Sequence, residues 1–164
     1  MGILRVCFLA AMCAGVVMCC QPPDCDREDC GTCGNACCQV EFFFKASTLD
    51  VYNLMVDNLK KGGADSRYTY KGGQDLRPYN TTADFVLQAW HTTLKNHYND
   101  TLDFTVLPSS TGFTSVTAFS ISQIAGAYCD AGQNYKNLVG YVKGLNTPYQ
   151  MIVSRGCPPP TSRR

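Results

Sequence analysis

Between residues 84 and 121 three strand-like segments follow one another with only turn-rich connections between them. Residues 84–93 (DFVLQAWHTT), 101–107 (TLDFTVL) and 116–121 (VTAFSI) carry the β-branched and aromatic side chains that favour strands. A parallel neighbour needs a crossover of a dozen or more residues, usually a helix. The connections here are too short for one, so antiparallel pairing is expected. In residues 101–107 the alternation puts Leu102, Phe104 and Val106 on the inward face. The apolar parity of the third segment changes between Ala118 and Phe119, which implies a bulge or a strand buried on both faces. Residues 87–89 would also tolerate a helix.

The flanks add helices. Val40, Phe42 and Phe44 define one face of a strand. Ser47 or Thr48 then offers a capping hydroxyl, with Asp50 suited to the positive end of the helix dipole. Val51, Leu54, Met55 and Leu59 follow at helical spacing, and Gly62-Gly63 ends the helix behind Lys60 and Lys61. Residues 67–71 read as a short strand and residues 72–82 as a loop. Residues 134–145 form a second helix with Tyr135, Leu138, Val139, Val142 and Leu145 on one stripe. Residues 149–153 can add an edge strand. The expected architecture is α+β: an antiparallel sheet of four to five strands with two helices on one face.

The N-terminus sets the compartment. A basic Arg5 precedes an apolar run over residues 6–18, too short for a membrane span but suited to a secretory signal. A cysteine-dense segment follows. The expected organisation is a signal over residues 1–19, a disulfide-rich cap over 20–38, one globular domain over 39–157 and a disordered tail over 158–164. Cleavage after Cys19 leaves Cys20, Cys25, Cys30, Cys33, Cys37, Cys38, Cys129 and Cys157, an even set expected to form disulfides in an oxidising compartment. Cys129 and Cys157 can pair with each other or with the cap. The Cys30 and Cys33 spacing also fits a zinc site or a redox pair, but export favours disulfides. Asn80 and Asn99 begin N-glycosylation sequons, and use of either marks a surface position.

Composition excludes more than it assigns. The net charge is +1, so no strongly basic face invites nucleic acid. No second apolar run approaches spanning length, so no membrane span is expected after signal cleavage. Retention of the signal would instead make an anchored protein. No cofactor-binding glycine pattern and no nucleophile elbow is present, so no cofactor, metal or catalytic residue is assigned. His91 and His97 with a nearby carboxylate are the raw material for a hydrolase or a metal-dependent enzyme. Tyr68, Tyr70, Tyr79, Trp90, Tyr98 and Tyr128 can line a pocket or simply fill the core.

The stretch 118–137 (AFSISQIAGAYCDAGQNYKN) joins a strand to a helix through small and polar residues. Asp130 and Asn134 can cap the helix, whose free N–H groups can also hold an anion. Asp100, Asp103, Ser120, Ser122, Asp130 and Asn134 are the candidate ligand-binding residues. Ser120, Ser122, Gly126, Asp130, Gly132 and Asn134 resemble the signature of the domain of unknown function 1499 family, with residues 100–104 matching its acidic strand. The similarity spans about residues 85–145; Gln123 stands where that family usually has arginine, and extra residues separate Ile124 from Asp130. The resemblance implies an α+β fold and carries no catalytic residue.

The expected function is that of a secreted, disulfide-stabilised binding or structural module with an extracellular ligand or protein partner. Intact mass of the exported protein tests this. An N-terminus at Cys20, no alkylatable thiol before reduction and loss of mass on deglycosylation are expected. A retained N-terminal segment contradicts it.

Overall fold

The computed structural model describes residues 36–124, 127, 130, 132–155 and 157, without the side chains of 153–155. The proposed signal, the tail and most of the cysteine cap lie outside the described residues. The chain runs β1 (Cys37–Phe44), α1 (Thr48–Lys60), β2 (Tyr68–Asp75), β3 (Phe85–Thr92), β4 (Asn99–Pro108), β5 (Thr114–Ser122), α2 (Gln133–Lys143) and β6 (Tyr149–Arg155). The strands form one six-stranded antiparallel sheet in the order β2-β3-β4-β5-β1-β6. The α+β class and antiparallel pairing agree with the sequence reading. The strand number does not, because β6 joins the β1 edge and makes six rather than four to five.

Two boundaries move for physical reasons. β1 begins at Cys37, two residues inside the expected cap, because Cys37 and Cys38 pair with Ile121 and Ser120 of β5. β2 continues through Gly72-Gly73, which looked like a loop; a register shift between Tyr70 and Gly72 absorbs the glycines and pairing continues to Asp75. β5 shows the other resolution of its parity change. Its register with β1 and β4 is unbroken, and the strand is buried on both faces.

One continuous core lies between the sheet and both helices. Val40, Phe42 and Phe44 meet Met55 and Leu59 of α1 and Leu138 and Val142 of α2. Ser47 caps α1 by accepting from the Asp50 amide at 3.1 Å. Leu54 is half-exposed, and Val56 takes its place on the buried face. At the other end Gly63 sits at φ 69° against the Tyr68 ring, where a Cβ would lie 2.3 Å from a ring carbon. Tyr141, absent from the expected apolar stripe of α2, is fully buried and donates to the Met55 carbonyl at 2.7 Å. This bond ties the two helices together.

Cys157 is disulfide-bonded to Cys38, which fits the pairing with the cap rather than with Cys129. The bond closes a loop of 119 residues and fastens the chain after β6 to β1. Cys37 points to the opposite face of β1 and packs with Phe119 and Ile121. Cys20, Cys25, Cys30, Cys33 and Cys129 lie outside the described residues. Replacing Cys38 and Cys157 together by alanine is expected to lower unfolding free energy by about 2–4 kcal/mol, as for other long loops. Urea denaturation under non-reducing conditions measures it, and an unchanged midpoint would contradict the structural role of this bridge.

Candidate functional site

The inner face of the sheet is apolar for most of its length and turns polar at one end. Antiparallel partners share a face. Tyr68, His91, Asp100 and Ser122 therefore form a single cross-strand row on β2, β3, β4 and β5. The next row inward contains Ala89, Leu102 and Ser120. Helix α2 lies over these rows and meets them with Asn134 and Asn137, each 1% exposed.

These side chains satisfy one another. Ser120 Oγ donates to Asn134 Oδ1 at 2.6 Å, and Asn134 Nδ2 donates to the Ala36 carbonyl and to Ser122 Oγ. Asn137 Nδ2 donates to Asp100 Oδ2 at 2.7 Å, and Asn137 Oδ1 accepts from Gln133 Nε2 at 2.7 Å. The Tyr68 hydroxyl donates to the Asn137 carbonyl at 2.7 Å. Such a network holds a helix in one place, because displacing it leaves several buried polar groups without partners.

A cavity of about 750 Å³ opens beside this network. Its floor is His91, Asp100, Ser122 and Asn137. Asp65 and Arg67 enter from the loop after α1, Leu94, Lys95 and Tyr98 from the β3–β4 hairpin, and Lys136 and Gly140 from α2. The volume falls in the range of small-molecule sites. His91 is 2% exposed, and its Nε2 lies 3.1 Å from Asp65 Oδ2. A carboxylate only accepts, so Nε2 carries the proton. His91 Nδ1 is buried without a hydrogen-bond partner among the described residues.

The two carboxylates are driven in opposite directions. Burial raises the Asp100 pKa above the ordinary carboxylate range, more than the Asn137 and Ser122 hydrogen bonds and the nearby His91 lower it. Burial also pushes Asp65 upward, but the hydrogen bond to His91, the Arg67 amide and the charges of both residues outweigh it, so its pKa falls. A raised carboxylate favours the fold below the ordinary range, and that contribution is lost as pH rises through the folded value. A lowered one, such as Asp65, contributes above that range and loses its contribution as pH falls.

Several sequence-derived candidates meet here and others do not. Asp100, Ser120, Ser122, Asp130 and Asn134 converge. Asp103 does not, because three residues along a strand is an odd step and reverses the face. It lies on the far side of the sheet, where Gln88 Nε2 donates to its Oδ1 at 2.7 Å. The anion site expected at the start of α2 is taken by the chain itself: Asp130 accepts from the Gly132 and Asn134 amides at 2.8 and 2.6 Å. His97 sits at φ 53° in the exposed hairpin and does not join His91. Among the described residues no three His, Cys, Asp or Glu side chains are grouped to hold a metal ion.

Asn80 lies in an exposed loop, as its sequon requires. Asn99 opens β4 half-buried, and its Oδ1 accepts from Thr92 Oγ1 at 2.8 Å. Of the tyrosines, Tyr68 and Tyr98 line the cavity and Tyr79 is exposed, while Tyr128 lies outside the described residues. Asp65 and Asn137 were not among the sequence candidates. Asn137 carried a signal, since an asparagine beside Leu138 and Tyr141 on the buried arc of a helix needs a buried partner. Asp65 carried none, because its contact to His91 spans 26 residues.

Comparison of the chain with protein-family models, curated proteins and solved structures finds no match.

Replacing Asp100 by asparagine removes the buried carboxylate and keeps an acceptor for Asn137. The stability of Asp100→Asn relative to wild type is expected to improve as pH rises from about 3 to about 7, since only wild type gains a desolvated charge there. Thermal melts across that range measure it. A difference that does not change with pH would contradict the assignment.

Proposed function

We propose that this chain is an exported, disulfide-stabilised binding protein and that the cavity floored by His91, Asp100 and Asn137 is its ligand site. The observation that supports this best is the convergence of three buried polar side chains, from two strands and a helix, on one cavity of small-molecule size. Among the described residues no helix is long and apolar enough to cross a membrane. The cysteine-rich N-terminus and the Cys38–Cys157 bridge are consistent with an oxidising compartment. Membership of the domain of unknown function 1499 family is part of the same proposal, supported by the hydrogen-bonded clustering of Ser120, Ser122, Asp130 and Asn134.

Gly140 supplies the test. It lines the cavity from α2, and a Cβ there meets only the Tyr68 hydroxyl at 3.6 Å. Gly140→Met therefore places a flexible side chain into the cavity without strain, and helix propensity favours it by up to about 1 kcal/mol. Ligand-observed NMR of a fragment library is expected to find binders that Gly140→Met abolishes while its melting temperature holds or rises. Absence of any Gly140-sensitive binder would sink the reading.

A second reading, an acid–base enzyme, is favoured by the Asp65–His91 contact. Asp65 fixes the imidazole tautomer and leaves Nδ1 as a base, with Asp100 opposite it in the register as a carboxyl of raised pKa. It predicts turnover of some chromogenic ester or glycoside that His91→Gln reduces by at least about 100-fold, the usual scale for a general base. No His91-dependent turnover across such a panel would remove it.

A further inference from the structure

We infer that the ligand presents an ammonium group, received by His91 Nδ1 and the Asp100 carboxylate. This rests on the reading of the cavity as a ligand site and names the chemistry it selects.

The donors and acceptors on the cavity floor select the chemistry of what can bind there. Asn137 Nδ2 is committed to Asp100 at 2.7 Å. The Ser122 hydroxyl is committed to the same carboxylate. The Tyr68 hydroxyl is committed to the Asn137 carbonyl, and Gln133 Nε2 to Asn137 Oδ1. His91 uses its one N–H on Asp65. The donors around the floor are thus spent on the protein's own acceptors.

Acceptors remain. His91 Nδ1 is a buried lone pair with no partner among the described residues. A buried acceptor left unmet costs about 1–3 kcal/mol, so a ligand N–H placed there recovers a real deficit. Asp100 stands directly opposite His91 in the β3–β4 register. Its hydrogen bonds come from Asn137 and Ser122, which are neutral side chains. Of the cavity's basic residues, Arg67 pairs with Asp65, and Lys95 and Lys136 are exposed.

A carboxylate or phosphate entering this floor meets two acceptors, His91 Nδ1 and the Asp100 carboxylate. A metal ion meets only two ligating groups, one short of the smallest ordinary protein ligand set. An ammonium brings up to three N–H donors and a positive charge, which answers both the bare nitrogen and the uncompensated carboxylate. Tyr68 and Tyr98 border the same space.

Three probes of matched size decide it: 2-phenylethylamine, 2-phenylethanol and phenylacetate, titrated by calorimetry into the exported full-length protein at neutral pH. The amine is expected to bind at least about tenfold tighter than either of the others. Asp100→Asn is expected to erase that preference, and Gly140→Met to abolish binding. If Asp100→Asn does not fold, the ranking of the probes on wild type decides alone. Preference for the alcohol or for phenylacetate, sensitive to Gly140→Met, overturns the ammonium assignment and leaves the cavity as a ligand site. Failure of all three probes, with Gly140-sensitive fragments found otherwise, overturns the ammonium assignment; failure of both experiments overturns the binding reading too.

Discussion

The seating of α2 on the polar end of the sheet is the constraint on which the rest depends. A helix that buried only leucines and valines could slide along the sheet at modest cost, because apolar contacts are not directional. Asn134 and Asn137 remove that freedom. Each is buried, and their amides and those of their neighbours account for Ser120, Ser122 and Asp100 on two strands. Leaving any one of these groups unmet costs about 1–3 kcal/mol, a large part of the net stability of a domain this size. The Tyr141 bond to α1 and the Tyr68 bond to the Asn137 carbonyl extend the same logic to the neighbouring elements.

The cavity is a consequence of that seating. Farther along the inner face, phenylalanines and methionine fill the space between layers. At the polar end the row is Tyr68, His91, Asp100 and Ser122, and α2 offers Gly140 above it. Glycine at that place leaves open the volume that a larger side chain would occupy. The two carboxylates then diverge by environment: Asp65 is held ionised by His91 and Arg67, while Asp100 is desolvated. One acidic side chain orients the imidazole and the other faces it across the register.

Much of the layer structure was legible in the chain. Alternation in residues 101–107 named Leu102, Phe104 and Val106 as inward, and all three are buried. Ser47, Asp50 and Gly62-Gly63 marked the ends of α1 because capping and left-handed backbone are local chemistry. Where local signals competed with pairing, pairing won. Gly72-Gly73 has the composition of a turn, yet β3 beside it supplies partners and a register shift accommodates the glycines. The site was half legible. Asp100, Ser120, Ser122, Asp130 and Asn134 lie within 35 residues of one another and share a local pattern, whereas Asp65 reaches His91 only through the packing of a distant loop.

The sequence by itself determined the class of the fold, the antiparallel pairing and the two helices, because each follows from periodicity, connection length or capping among neighbouring residues. Tertiary structure alone decided that Cys157 bridges to Cys38, that Asn137 meets Asp100 and that Asp65 holds His91. These outcomes depend on register and on which elements meet across the sheet. No local pattern encodes them, because the partners are brought together only when the layers close.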